Sequence, residues 1–149
     1  MTTTEFNLDE ALVLFGGSAP SVEKPDRAIL GGKGLGLQEM SRIGVDVPPG
    51  FTLITPLCQV YDKENDLPQE MWKKVKDAIK SVEKDTGKKF GAEVNPLLFS
   101  CRSGAAISMP GMMDTVLNIV SFFLSFFSIF KISISVLSML LSSNCFFQC

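Results

Sequence analysis

The chain has 149 residues, enough for one domain with a sizeable core and too few for two comfortable ones. Of its 14 basic and 16 acidic residues only Lys131 lies beyond position 119, so residues 1–119 form a mildly acidic body of net charge −3 with no basic footprint for nucleic acid. Histidine is absent, which excludes any mechanism completed within this chain by an imidazole base, nucleophile or phosphate carrier.

The first stretch, MTTTEFNLDEALVLF, carries three acids and no base. That pattern lacks the positive start of a secretory signal and the arginines of a transit peptide, so a cytoplasmic location is expected. The four cysteines (Cys58, Cys101, Cys145, Cys149) include no CxxC pair, and without histidine a zinc site would need all four thiolates together. Reduced thiols and no metal site are the expectation.

In chain order, the apolar run Ala11–Phe15 closed by Gly16-Gly17 predicts a buried strand ending in a turn. A polar loop, SAPSVEKPDRA, leads to GGKG at 31–34 and then to a short helix with Leu37, Met40 and Ile43 on one face. Gly44 suits a left-handed cap at its end. VDVPPGFTLIT reads as a rigid Pro-Pro-Gly corner before a strand over Phe51–Thr55. The clearest helix is LPQEMWKKVKDAIKSVEKDTG, with Trp72, Val75, Ile79 and Val82 as its apolar face. Asp66 is positioned to cap it, Pro68 suits its first turn, and Gly87 stops it. Its lysines are expected in solvent. A last strand, Leu97–Cys101, runs into RSGAAISMPGMMDT. Strands and helices alternating through glycine-rich junctions give an α/β or α+β fold.

Two junctions are equipped for chemistry. In GGKG, glycines let backbone N–H groups approach an anion, a following helix start adds partial positive charge, and Lys33 adds a full one. The spacing matches neither GxxxxGK[ST] nor GxGxxG, so phosphate contact and a tight turn with an exposed lysine both stay open. In RSGAAISMPGMMDT, Arg102 offers a planar fork suited to phosphate oxygens, and Ser103, Gly104, Ala105 and Ala106 let the backbone run near a ligand. Met109, Met112 and Met113 could wall a flat ring or fill core gaps. Asp114 could hold a cation, pair with a lysine or cap a turn. A lysine and an arginine, each in a small-residue loop at the end of an element, are what a triphosphate cradle needs.

The runs LGGKGLGLQEMSRIGVDVPPGFTLIT and NPLLFSCRSGAAISMPGMMDTVLN resemble the start of the pyruvate, phosphate dikinase family, and the helix with its TGKKFG ending fits the same pattern between them. The sister phosphoenolpyruvate synthases resemble the chain less at MPGMMDT. The resemblance covers residues 12–118 and implies the N-terminal part of an ATP-grasp-like nucleotide-binding domain. It implies an enzyme converting ATP, pyruvate and phosphate to AMP, phosphoenolpyruvate and diphosphate with Mg2+, acting as a homo-oligomer. Lys33 and Arg102 match the family's phosphate-contacting lysine and arginine, with Gly31, Gly32, Gly34, Ser103 and Gly104 as supporting loops. Cys101 stands where the family usually has a small aliphatic residue. The magnesium-holding acids, the carrier histidine and the pyruvate-binding barrel of the family have no counterpart here, so no catalytic residue is expected in this chain and the fragment alone is expected to be inactive.

The resemblance stops at Asn118, and residues 120–149 are expected to form a separate Phe/Ser-rich tail. Val120-Ser121 can be encoded by a splice-donor sequence, and pyrimidine-rich intron sequence would translate as Phe, Ser, Leu and Ile. The tail is therefore read as intron readthrough or a mistaken gene model. One alternative is a membrane anchor over 119–141, which has 16 apolar residues and six serines around Lys131. The other is a genuine fold element. For the chain as a whole, the alternative to a dikinase fragment is an inactive nucleotide-binding or membrane-attached interaction module.

Overall fold

The computed structural model describes residues 8–20, 22–57, 60–61, 66–103, 115–119 and 145–148, the last two stretches as backbone. A 3-10 turn (Leu8–Glu10) leads into β1 (Leu12–Phe15), α1 (Arg27–Arg42), β2 (Gly50–Leu53), α2 (Gln69–Thr86), β3 (Phe99–Ser103), β4 (Thr115–Ile119) and β5 (Cys145–Gln148). The sheet order is β1-β2-β5-β3-β4, and every neighbouring pair is antiparallel. Of the two expected classes this is the mixed one, helices packed on an antiparallel sheet. Four residues of the tail stand in the middle of that sheet. The remainder of the predicted 119–141 span, after Ile119, lies outside the described residues. Among the described residues no helix is long and apolar enough to cross a membrane.

Register decides which residues share a face. Val13 pairs with Thr52, Thr52 with Phe146, and Phe146 with Arg102, which makes one row across the sheet. The next row is Leu14, Phe51, Phe147 and Cys101. Side chains alternate along a strand, so Thr52 and Arg102 share one face while Phe51 and Cys101 share the other. The Phe51 face carries the main core: Phe51, Leu53, Leu97, Phe99 and Cys101 pack with Met71, Val75, Ala78 and Val82 of α2. The Phe99 ring meets Phe51 and Phe90 edge-on, with centroids 6.2 and 5.5 Å away. On the opposite face Phe15 packs with Leu37 of α1 and with Val47.

The helices depart from expectation in four places. The buried stripe of α2 is Met71, Val75, Ala78 and Val82, while Trp72 and Ile79 are only half-buried at its margin. Ala78 is small, and centring the stripe there lets the helix lie close to the sheet. Asp66 does not cap α2, because Pro68 takes the N-cap position; the Asp66 carboxylate instead accepts from the Leu67 N–H (2.7 Å) and the Trp72 indole (3.3 Å). Gly87 ends α2 in the left-handed conformation as expected. In α1, Asp26 caps the start by accepting from the Ala28 N–H at 2.8 Å, so the helix begins inside the stretch read as a loop. Of its predicted apolar face only Leu37 is buried; Met40 and Ile43 are exposed. They sit at a helix end where Val45 donates to the Met40 carbonyl and Gly44 to that of Ser41, the hydrogen-bond pattern of a Schellman motif.

The loop after β1 is tied to the far end of α2. Asp85 accepts from the Ser18 hydroxyl at 2.6 Å and from its backbone N–H at 3.1 Å, and these two bonds hold its carboxyl below the ordinary value. A depressed carboxylate contributes stability above its unfolded pKa, about 3.9, and loses it as pH falls through the lower folded value. Asp85→Asn should cost at most about 1 kcal/mol at pH 7 for so exposed a pair. The gap in melting temperature between the two proteins should close as the pH is taken from 5 to 2.

Candidate anion-binding site

GGKG does not precede its helix; it interrupts it. Gly31 has φ 70 and ψ 170 inside α1, so the helix breaks there and a second segment starts at Gly32. Only glycine adopts that conformation cheaply. The break gives the second segment an N-terminus of its own, with Gly32, Lys33 and Gly34 in its first turn, where backbone N–H groups and the helix dipole favour an anion.

Gly34 fixes where this turn sits. A Cβ there would lie 3.1 Å from Thr52 Cγ2 and 3.3 Å from Leu30 Cβ, so the missing side chain lets α1 rest on β2 at Thr52. Thr52 shares its register row with Arg102. The sheet thereby brings Arg102 to the side of the molecule that carries Lys33. Their proximity registers electrostatically: the Lys33 amine is held below the ordinary lysine value, first by its partial burial and then by the charge of Arg102. Two like charges placed together repel, and a polyanion between them relieves that repulsion.

The supporting positions divide. Gly31 and Gly34 are buried, Gly32 is half-buried, and Arg102 is exposed near the end of β3. Ser103 closes β3, its backbone opposite Cys145. Gly104 and the run through Asp114 lie outside the described residues, as do Cys58 and Cys149. Cys101 is a buried thiol of the core rather than a surface one.

Two residues that the sequence reading passed over support the site. Gln38 is fully buried in α1; its amide nitrogen donates to the Leu14 carbonyl at 2.7 Å, and its oxygen accepts from the Val22 N–H at 3.2 Å. It anchors the helix of the site to β1 and to the loop between them. A lone glutamine within the apolar spacing of LGLQEM was the one available signal. Thr52 is also enclosed, and its hydroxyl has no hydrogen-bond partner among the described residues. Its place under Gly34 follows from register, which one sequence does not display. Among the described residues no three His, Cys, Asp or Glu side chains converge to hold a metal ion, so none is assigned to magnesium.

No family model matches the chain. Curated relatives do. The pyruvate, phosphate dikinase of Entamoeba histolytica is 52% identical over 95 residues, 63% of this chain and 11% of that protein. The pyruvate, phosphate dikinase of Rickettsia bellii is 42% identical over 113 residues, 75% of this chain and 13% of that protein. The chain is homologous to the pyruvate, phosphate dikinases. A chloroplastic pyruvate, phosphate dikinase of Mesembryanthemum crystallinum adds a third match, 47% identical over 106 residues, 70% of this chain and 11% of that protein. The resemblance carried by the GGKG and RSGAAISMPGMMDT runs is thus borne out, and the chain spans little more than a tenth of the length of these dikinases.

Proposed function

We propose that residues 1–119 are the N-terminal part of an ATP-grasp-like nucleotide-binding domain of a pyruvate, phosphate dikinase, and that Lys33 and Arg102 contact the phosphates of ATP. The observation that carries this reading is the helix start opened by Gly31, seated on β2 through Gly34 and Thr52, with Arg102 in the same register row as Thr52. A flexible ammonium suits one phosphate oxygen, while a planar guanidinium can take two. Backbone N–H groups of Gly32–Gly34 would add donors that need no reorganisation. Magnesium, when bound with the nucleotide, would neutralise and bridge phosphate oxygens.

In this reading the chain binds and orients the triphosphate and carries out no transfer step. AMP, pyruvate, inorganic phosphate, the carrier histidine and homo-oligomer formation belong to the whole dikinase. The tail after residue 119 lies outside the dikinase-like part. Titrating ATP against the 149-residue chain, with Lys33→Ala and Arg102→Ala beside it, tests the assignment. Each substitution should weaken binding about tenfold or more, equivalent to about 1.4 kcal/mol. Affinities within twofold of the unaltered chain in both variants would remove both residues from the site.

A further inference from the structure

β5 comes last along the chain and third across the sheet. On one side Gly50, Phe51 and Thr52 pair with Gln148, Phe147 and Phe146. On the other, Ser100, Cys101, Arg102 and Ser103 pair with Gln148, Phe147, Phe146 and Cys145. β1 and β2 form one antiparallel pair and β3 and β4 another. Among the described residues β5 is therefore the ladder that joins the two halves of the sheet.

This topology bears on the cations. Neighbouring strands stand about 4.8 Å apart, so an inserted strand keeps β3 about 10 Å from β2. Arg102 is on β3. Lys33 is fixed over β2, because Gly34 rests on Thr52. The spacing between the two charges is set by what lies between those strands. A segment held there by backbone bonds on both sides tolerates many side chains but not proline, which removes a ladder N–H.

We propose that Cys145–Gln148 is a positioning strand for the Lys33–Arg102 site: seated between β2 and β3 it spaces the two cations to share one run of phosphates, and without it the two strands close up or part and the site is lost. This rests on the anion-binding reading above. It makes nucleotide affinity depend on a segment that touches neither cation's loop in sequence.

The test compares Phe147→Pro with Phe147→Val in the full chain. ATP affinity and the titration of the Lys33 amine, followed by NMR after isotopic methylation, are both read. The proline variant should bind ATP about tenfold or more weakly and show the Lys33 titration displaced, to higher pH where the strands part and Arg102 moves away, to lower pH where they close up. The valine variant should match the unaltered chain in both. A folded proline variant with unchanged Lys33 titration overturns the proposal. Because that titration needs no nucleotide, it also separates failure of this proposal from failure of the ATP assignment. If the proline variant does not fold, hydrogen exchange of the unaltered chain decides. Protection of the 145–148 amides equal to that of β2 supports the strand's role, and exchange at the rate of an unstructured peptide overturns it.

Discussion

Phe99→Ala is expected to be the most damaging single substitution in the described core, costing about 3–5 kcal/mol. Phe99 is 3% exposed and sits where β3, β2 and the loop after α2 converge. Its ring contacts Phe51 on β2 and Phe90 after α2, both edge-on, an arrangement that adds to area burial. Truncation would leave a cavity walled by two other rings, and neither can collapse into it. Phe90 is held by its backbone, which donates to the Glu83 carboxylate at 2.8 Å, and Phe51 by its place in a paired strand. A domain of this size has a total stability of about 5–15 kcal/mol, so the variant should melt far below the unaltered chain or fail to fold. Urea denaturation followed through Trp72 measures it. A loss under 1 kcal/mol would mean that the two rings do not form the core seen here. Phe99→Leu keeps most of the volume and should recover more than half of the loss.

Gly16→Ala is expected to cost about 3 kcal/mol or more, although it adds one methyl group in a loop. Gly16 has φ +66, a conformation that costs an L-residue about 1–2 kcal/mol. The larger part comes from space: the new Cβ would stand 2.3 Å from the Val47 carbonyl oxygen and 2.6 Å from that of Pro48. Both are backbone atoms and cannot swing aside. Pushing them away also breaks the bond that Gly17 donates to the Val47 carbonyl at 3.3 Å, and Val47 packs on Phe15 and Leu37. Two other glycines separate these effects. Gly87 has a similar φ but open space at its Cβ position, so Gly87→Ala should show the conformational cost alone, about 1–2 kcal/mol. Gly36 is helical with nothing nearby, and Gly36→Ala should stabilise by about 0.5–1 kcal/mol. Thermal melts of the three variants should rank in that order.

What the sequence disclosed was local. β1 with its Gly16-Gly17 turn, the end of α2 at Gly87, and the left-handed Gly44 after α1 all rest on short-range apolar spacing or on glycine. The start of α1 was hidden because Asp26 lies in a run rich in proline and charge that also suits a loop. The stripe on α2 came out shifted because Ala78 and Met71 carry weaker apolar signals than Trp72 and Ile79, although they fit the sheet better. Lys33 and Arg102 could be singled out by their surroundings. That the sheet carries Arg102 to the side of the molecule where Lys33 lies could not be read, since it depends on the register through β5, a pairing between residues remote in sequence and weakly marked in it.

The position of β5 also has a consequence during synthesis. Gly50 of β2 waits for Gln148 before its second edge is paired. At about 5–20 residues per second that interval is roughly 5–20 s, during which β2 and, once made, β3 each present an open row of N–H and C=O groups. The speed of translation through the intervening codons, rather than the strength of the finished core, then sets how long the nascent chain is vulnerable to pairing with its neighbours on the same message.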